Sequence, residues 1–272
     1  MLCSLWPTQH IPDYWKHRWL APLPKTEELT SIEDLRPICL LEIFRKLWTS
    51  ILTHRIRNAW ETHHLLDPSQ HGFRANHGTD SASLLLIDAL EQAKETHTAC
   101  LVSSWDIRRV FDSISKPALQ TAWTRLGVDL KGTTTVCLPI SQQAHDRHGM
   151  DGLHRLQALG AEDILLPAER GVPQGDVASP FGWNAVYDIL LRALTLQRPT
   201  LNDPTAQAIA YADDLLSLSS HLPSLQQQAD LVAAFAQIFE LDLATSKFRA
   251  YKFPYHKTHP KQPAATLLTI NI

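Results

Sequence analysis

The stretch that most constrains the fold is "QAIAYADDLLSLSS" (207–220), in which two acids interrupt an apolar run. Its two arms are short and apolar and meet at Ala212, Asp213 and Asp214, a pattern typical of a β-hairpin. A charge removed from water is costly unless it is paired or coordinates a metal, and an adjacent like charge adds to the cost. The two aspartates therefore lie either in a solvated turn or at a site that binds a cation.

Length and composition indicate a globular protein of one large or two modest domains. The chain has 272 residues, of which 44% are hydrophobic and 19% charged, so wholesale disorder is excluded. No apolar run reaches the roughly 18 residues of a membrane span, and the start lacks the basic-then-apolar order of a signal peptide. Four widely spaced cysteines without a CxxC pair predict reduced thiols. We expect an intracellular protein that does not contact membranes, with nucleus or cytoplasm and oligomeric state left open.

The charge distribution leaves nucleic-acid binding open. The net charge of −3 and the pI of about 6.5 give it no support. The ends are nevertheless basic, since residues 1–60 have eight Lys/Arg against six Asp/Glu and residues 242–272 have five against one. Basic ends around an acidic centre suit a polyanion if cations fill that centre, whereas scattered surface charge is the simpler interpretation.

Apolar periodicity and turn residues predict helices interleaved with strands, and hence an α+β fold. Between about 127 and 170 the pattern predicts no element. The predicted elements are a helix over 40–56, a helix through 85–93 capped by Thr79 or Asp80, a buried strand ending at Asp106, a helix over 116–126, a loop over 170–178, a helix capped by Ser179, the hairpin over 207–220 and a helix over 224–239.

Three acids converge if the predicted strand and hairpin are neighbours in one sheet. Asp106 ends the strand, and Asp213 and Asp214 lie at the hairpin bend. Such oxygen ligands suit Mg²⁺, and two ions roughly 3.5–4 Å apart would stabilise both the attacking and the leaving oxygen of a phosphoryl displacement. The alternative is a polar turn between two strands.

The neighbouring motifs resemble those of reverse transcriptases, most closely the non-long-terminal-repeat (LINE-like) retrotransposon class. The motifs similar to its catalytic sequences are "WDIRRVFDSI" (105–114), "GVPQGDVASP" (171–180) and "YADD" (211–214). Those similar to its fingers motifs are "APLPK" (21–25), "LRPICLL" (35–41) and "QHGFRANHGT" (70–79), and "LDLATSK" (241–247) resembles the motif that follows the catalytic hairpin. All seven follow the family's order, and the resemblance covers about 11–247.

By this resemblance, Asp106, Asp213 and Asp214 match the catalytic triad that binds two Mg²⁺ ions, for which Mn²⁺ can substitute. Lys247 matches a lysine that protonates the leaving pyrophosphate. Considered alone, a lysine in this tail is an ordinary surface residue.

Five further positions match the family's dNTP-binding residues. Phe111 matches the aromatic steric gate, which would crowd a ribose 2′-OH and favour dNTP over rNTP. Gln174 and Gly175 match the loop that packs on the incoming nucleotide, and Lys25 and Arg36 match positions that meet its triphosphate. Their ordinary interpretations are a core phenylalanine, a Pro/Gly turn and solvated surface charges.

The resemblance implies a right-hand polymerase with a palm of antiparallel sheet and packed helices. Residues 1–99 would form the fingers with an N-terminal extension, residues 100–250 the palm, and residues 251–272 a tail where a missing or truncated thumb would begin. Gly72, Phe73 and Arg74 match a fingers motif near the template, although an ordinary turn fits them as well.

Three residues depart from the family pattern. Val110 replaces a small alanine and adds bulk, Ala244 replaces an asparagine that caps local backbone, and Phe248 replaces a threonine. These departures weaken the motif that ends at Lys247 more than they weaken the triad.

The predicted function is RNA-directed DNA polymerase, which adds dNTPs to a primer 3′-OH by two-metal phosphoryl transfer. Its partners would be an RNA template, a DNA primer and dNTP. One alternative is a catalytically inactive retrotransposon remnant that at most binds nucleic acid. Another is a palm polymerase that copies RNA into RNA, which Phe111 disfavours.

Overall fold

A computed structural model describes residues 12, 15, 18–25, 27, 31, 35–128, 154–156, 164–166, 170–201, 203–253 and 266–270. The chain forms two compact units, each assembled from two separate stretches. Unit 1 combines Met1–His63 with Phe111–Trp183, and unit 2 combines His64–Val110 with Asn184–Ile272. The predicted division into fingers over 1–99 and palm over 100–250 stays a prediction.

Helices and strands are interleaved along the described chain. The helices are α1 (Ile43–Thr62), α2 (Thr79–Glu95), α3 (Val110–Ser113), α4 (Lys116–Arg125), α5 (Ser179–Gln197) and α6 (Leu222–Ile238). The strands are β1 (Arg18–Pro24), β2 (Leu35–Leu40), β3 (Cys100–Trp105), β4 (His154–Leu156), β5 (Ile164–Leu166), β6 (Gln207–Tyr211), β7 (Asp214–Ser219), β8 (Arg249–Phe253) and β9 (Thr266–Leu267).

Unit 1 contains a four-stranded sheet in the order β2-β1-β4-β5. Strand β1 pairs antiparallel with β2 and parallel with β4. The aromatic core includes Trp60 of α1 and Trp123 of α4, whose ring centroids lie 5.4 Å apart. Arg45 of α1 is fully buried and forms an ion pair with Asp176 (3.0 Å). This pair attaches the loop over 170–178 to α1.

Unit 2 contains an entirely antiparallel sheet in the order β6-β7-β3-β8-β9. Helix α2 contacts β6 and β3, and helix α6 contacts β7 and β3. Ala89 and Ala93 of α2 pack on Val102, Ile209 and neighbouring apolar residues of the sheet. The apolar arms of the hairpin are buried for this reason, as their sequence predicts.

Most predicted elements are confirmed with shifted ends, but two predicted N-caps are wrong, and strands β4 and β5 lie between 127 and 170, where the pattern predicts no element. The predicted helices over 40–56, 116–126 and 224–239 correspond to α1, α4 and α6, and the predicted strand corresponds to β3. Gly78, rather than Thr79 or Asp80, is the N-cap of α2, because the Ser81 hydroxyl bonds both the N–H and the carbonyl of Gly78. Ser179 lies inside α5, where its hydroxyl donates to the carbonyl of Pro173 (2.7 Å).

Strands β6 and β7 form the predicted hairpin with a two-residue loop. Tyr211 pairs with Asp214, which leaves Ala212 and Asp213 at the bend. Ala212 has φ = +58°, a left-handed conformation that two-residue hairpin loops require of at least one residue. Among the described helices, none combines the length and apolarity needed to cross a bilayer.

Candidate active site

Three aspartates lie at one end of the sheet in unit 2. Asp106 directly follows β3, and Trp105 at the end of β3 pairs with Leu215, the second residue of β7. Asp214 begins β7 and is exposed, whereas Asp213 in the bend is half-buried. The sheet thus brings together the three acids that the sequence predicts to converge.

Burial and neighbouring acids disfavour the charged forms of Asp213 and Asp214. Burial raises the pKa of Asp213, and the charges of Asp214 and Asp106 raise it further, outweighing Lys247 and the hydrogen bond from its own backbone. Burial and the Asp106 charge likewise raise the pKa of Asp214. Such a cluster of acids is unfavourable until a positive charge compensates it.

Lys247 supplies one positive charge to this cluster. Its Nζ donates to Oδ2 of Asp106, and this hydrogen bond raises the pKa of the lysine. The segment that precedes it pairs with the end of β3, since the Ala244 N–H donates to the carbonyl of Asp106 (2.8 Å). The ring centroids of Phe248 and Trp105 lie 4.5 Å apart, so the two side chains pack against each other. With alanine at 244 the link to Asp106 is made by main-chain atoms.

The chemistry of the carboxylates fits a divalent cation. Mg²⁺ prefers hard oxygen ligands and is commonly held by one or two carboxylates together with substrate phosphates. Over the residues that the structure describes, no three His, Cys, Asp or Glu side chains form a group that could hold a metal ion by themselves. Burial and neighbouring negative charge raise the pKa values of Asp213 and Asp214, and a bound cation would offset the second of these effects.

Residues of the predicted template motif lie against the hairpin bend. A Cβ at Gly72 would be 2.7 Å from the Cα of Ala212, so only glycine fits there. The Arg74 guanidinium donates to the carbonyls of Asp67 and Gln70, which makes it part of the local fold. Phe73 is 41% exposed and has φ = +59°. Among these three, Phe73 has the side chain most open to a ligand, and their nucleic-acid role stays a prediction.

Tyr187 and Gln70 are neighbours of the bend that the sequence interpretation missed. The Tyr187 hydroxyl lies 3.5 Å from the carbonyl oxygen of Asp213, and burial together with the nearby aspartates raises the pKa of this tyrosine. Gln70 hydrogen-bonds Ala212 through its side-chain amide. Gln70 stands inside the quoted motif "QHGFRANHGT", which is the one signal that could have singled it out.

The loop with Gln174 and Gly175 lies in unit 1 and is attached to β2. The Cys39 N–H donates to the carbonyl of Gln174 (2.7 Å), and a Cβ at Gly175 would be 2.9 Å from the carbonyl oxygen of Cys39. Gly175 has φ = +108°, so glycine is needed for both conformation and space. Gln174 is half-buried and helps line a cleft of about 180 Å³.

The other predicted nucleotide-binding residues also lie in unit 1. Half-buried Phe111 accepts a hydrogen bond on its carbonyl from the Val172 N–H (2.6 Å), which joins it to the same loop. Lys25 follows β1, and Arg36 is in β2 opposite Leu23, so both exposed cations are at one end of this strand pair. The structure places all five nucleotide candidates in unit 1 and all three aspartates in unit 2.

The side chain of Val110, which replaces the family's alanine, is buried. The side chain is 3% exposed, so the bulk added relative to alanine packs into the protein interior. This departure is therefore compatible with the fold around Asp106.

The fold is that of nucleic-acid polymerases with fingers and palm. Truncated telomerase from Candida tropicalis superimposes with a TM-score of 0.66 at 13% identity, over 94% of this chain and 55% of that one. The RNA-dependent RNA polymerase of a human picobirnavirus gives 0.56 at 10% identity, over 92% and 45%. The predicted α+β fingers–palm class is confirmed.

The chain belongs to the reverse transcriptase (RNA-dependent DNA polymerase) family, whose model matches residues 23–269. Among its relatives, the Pol polyprotein of retrotransposable element R2 from Popillia japonica is 30% identical over 242 residues, which are 88% of this chain and 32% of that protein. The RNA-directed DNA polymerase of the Drosophila melanogaster mobile element jockey is 21% identical over 88% of this chain and 25% of its own. The chain thus spans less than a third of the length of either relative. The predicted LINE-like reverse transcriptase class is confirmed. Reverse transcriptases are nucleotidyltransferases that generally use divalent metal ions.

Proposed function

We propose that this chain is an RNA-directed DNA polymerase domain that extends a DNA primer on an RNA template with dNTPs. The observation that most supports the proposal is the meeting of Asp106, Asp213, Asp214 and Lys247 at one end of the unit 2 sheet. Family membership gives these four residues their proposed roles.

The three carboxylates would hold two Mg²⁺ ions, which supply Lewis-acid activation of the primer hydroxyl and charge neutralisation at the phosphate. Asp213 and Asp214 are suited to binding because the sheet sets them beside Asp106, where carboxylate oxygens can share a cation. Lys247 is proposed to give a proton to the leaving pyrophosphate. The lysine is 71% exposed, so its ammonium is accessible to a substrate.

Residues of unit 1 are proposed to select the nucleotide. Lys25 and Arg36 are exposed cations that suit a triphosphate, and Gln174 and Gly175 offer an amide and a close backbone approach. The ring of Phe111 would exclude a ribose 2′-OH.

Primer extension tests the catalytic proposal. On oligo(dT)/poly(rA) with Mg²⁺, we expect dTTP incorporation by the wild-type protein and a loss of roughly a thousandfold or more in Asp213→Asn, since electrostatic stabilisation is the largest catalytic contribution. Asp230→Asn is the matched control because it removes an exposed carboxylate of α6 that bonds Gln226. Equal incorporation by Asp213→Asn and the wild type would show that the assignment is wrong.

Two outcomes select the alternatives. Binding of an RNA/DNA hybrid with no Mg²⁺-dependent synthesis by the wild type would favour the inactive nucleic-acid-binding protein. For the sugar, Phe111→Ala is expected to gain rNTP incorporation, since its ring no longer crowds the 2′-OH. An unchanged preference for dTTP over rUTP in this variant would show that Phe111 is not the steric gate.

A further inference from the structure

Residues 69–72 run alongside the edge strand that leads to the two aspartates. Gln70 forms a parallel bridge with Ala210. The His71 N–H donates to the carbonyl of Ala210 (2.7 Å), and the Ala210 N–H donates to the carbonyl of Ser69 (2.8 Å). This segment therefore extends the sheet of unit 2 past β6.

The side-chain amide of Gln70 continues this pairing into the bend. Its Nε2 donates to the carbonyl of Ala212 (3.0 Å), and its Oε1 accepts from the Ala212 N–H (3.0 Å). The same oxygen accepts from the Gly72 N–H (2.7 Å). Gln70 is only 2% exposed, so solvent does not compete for these bonds. The amide acts as a peptide group would in a neighbouring strand.

The residue bonded in this way has a strained backbone and directly precedes a proposed metal ligand. Ala212 has φ = +58°, which costs an L-residue about 1 kcal/mol or more and persists only where neighbours enforce it. Gly72 packs against the same backbone, and its carbonyl accepts from Nδ2 of Asn184 (3.0 Å). The backbone of Asp213 thus emerges from a bend whose two hydrogen-bonding groups at Ala212 are both held by Gln70.

We propose that Gln70 is a positioning residue: its amide holds Ala212 in the left-handed conformation and so determines where the Asp213 carboxylate is presented. The proposal rests on the proposed function, because Asp213 is there a catalytic ligand. Gln70 itself contacts the main chain of the bend and acts on the reaction only through Asp213.

The experiment compares Gln70→Met with Gln228→Met. Methionine matches glutamine in length and removes the amide. Gln228 is the matched control, since it is also 2% exposed and its Nε2 donates to the carbonyl of Leu218 (2.9 Å) on the same hairpin, away from the bend. The measurements are kcat and KM for dTTP on oligo(dT)/poly(rA), and hydrogen exchange of the Gly72 and Ala212 amides.

We expect Gln70→Met to lower kcat by roughly tenfold or more and to leave KM within about twofold, because misplacement of a catalytic group lowers the rate of the chemical step. Exchange at both amides should accelerate by about tenfold or more, since each loses its acceptor. In Gln228→Met, kcat and both exchange rates should stay within about twofold of the wild type. An equal fall of kcat in both variants would show general destabilisation and overturn the proposal.

A second variant covers the case in which Gln70→Met does not fold. Gln70→Glu keeps an acceptor for both amides and, in its ionised form, sets a carboxylate oxygen against the carbonyl of Ala212 in place of the amide donor, so about a threefold or larger fall in kcat at unchanged KM is expected. A wild-type kcat would overturn the proposal. If the wild-type protein incorporates no dTTP, the proposed function has failed and hydrogen exchange decides alone. Faster exchange in Gln70→Met but not in Gln228→Met then supports the proposal that Gln70 fixes the conformation of Ala212. Unchanged exchange in Gln70→Met overturns it.

Discussion

The two ends of the β6–β7 hairpin place acids in opposite environments. Beside the end of β7, the carboxylate of Asp203 accepts hydrogen bonds from the hydroxyls of Ser219 (2.5 Å) and Ser220 (2.7 Å) and from the backbone N–H groups of Ser220 (2.9 Å) and Thr205 (3.0 Å). Burial raises the pKa of Asp203, but these bonds outweigh it and the net pKa is lowered. At the bend, burial raises the pKa of Asp213 and of Asp214, and the charge of Asp106 raises both further.

This difference shows that Asp203 stabilises the fold in its ionised form, whereas the charges of Asp213 and Asp214 do not. The ionised form of Asp203 is stabilised in the folded protein, because four hydrogen-bond donors replace the water that the carboxylate loses on burial. Asp213 and Asp214 are ionised at a net cost that a bound cation would remove. Removing an acid is therefore expected to lower the free energy of unfolding at the Asp203 end of the hairpin and to raise it at the bend.

The largest expected effect is at the structural end. Asp203→Ala should lower the free energy of unfolding by about 3 kcal/mol, because it removes the buried carboxylate that accepts hydrogen bonds from Ser219, Ser220 and Thr205. Asp242→Ala is the control, since its 3.3 Å ion pair with Arg108 is on the surface and should change stability by less than about 0.5 kcal/mol. Urea denaturation of the three proteins measures both changes. Equal stabilities would mean that the Asp203 network contributes nothing net.

The pH dependence of this effect has a defined sign. Because the pKa of Asp203 in the folded protein lies below its ordinary value of 3.8, its ionised form stabilises the fold at pH values above 3.8. The stability difference between the wild type and Asp203→Asn should therefore be constant from pH 6 to about pH 5 and shrink at lower pH. Denaturation at pH 6, 4 and 3 measures it. A difference that grows on acidification would contradict the lowered pKa.

At the bend the expected change is smaller and reversed. In a buffer with chelator, Asp213→Asn should raise the free energy of unfolding by about 0.5 kcal/mol, since it removes repulsion with Asp214 and Asp106. The same denaturation series measures it, and Asp230→Asn again controls for net charge. A loss of stability of about 1 kcal/mol or more would place Asp213 among the structural acids.

The smallest effect is expected at Lys247. Because this side chain is 71% exposed, Lys247→Met should lower the free energy of unfolding by less than about 0.5 kcal/mol despite losing its ion pair with Asp106. Thermal unfolding in parallel with the wild type provides the measurement. A larger loss would make Lys247 a structural partner of Asp106 rather than a residue available to substrate.

The bend and its three acids could be predicted because local sequence encodes them. Two short apolar arms that meet at Ala212, Asp213 and Asp214 predict the hairpin, and a predicted strand ends at Asp106. Gln70 and Tyr187 could not be predicted in this way, because their contacts join residues far apart in the chain and leave no periodicity. Asp203 has the same property, since its carboxylate bonds Ser219 and Ser220 only after β7 has formed.

The two units show the same limit at a larger scale. A division of the sequence into consecutive domains follows the order of the motifs. Each compact unit combines two stretches that are distant in sequence, a property set by strand pairing rather than by composition.

The central position of β3 has a consequence for synthesis. Its hydrogen-bonding neighbours β7 and β8 are both encoded downstream of the whole of Phe111–Trp183. When Cys100–Trp105 leaves the ribosome, both of its edges lack partners until Asp214–Ser219 and Arg249–Phe253 have been made. Such non-local pairing slows folding, and it leaves an apolar strand open to wrong partners meanwhile. Strand β3 therefore gains both of its neighbours only after Arg249–Phe253 has been made, and Asp106 is synthesised well before the strands that position it.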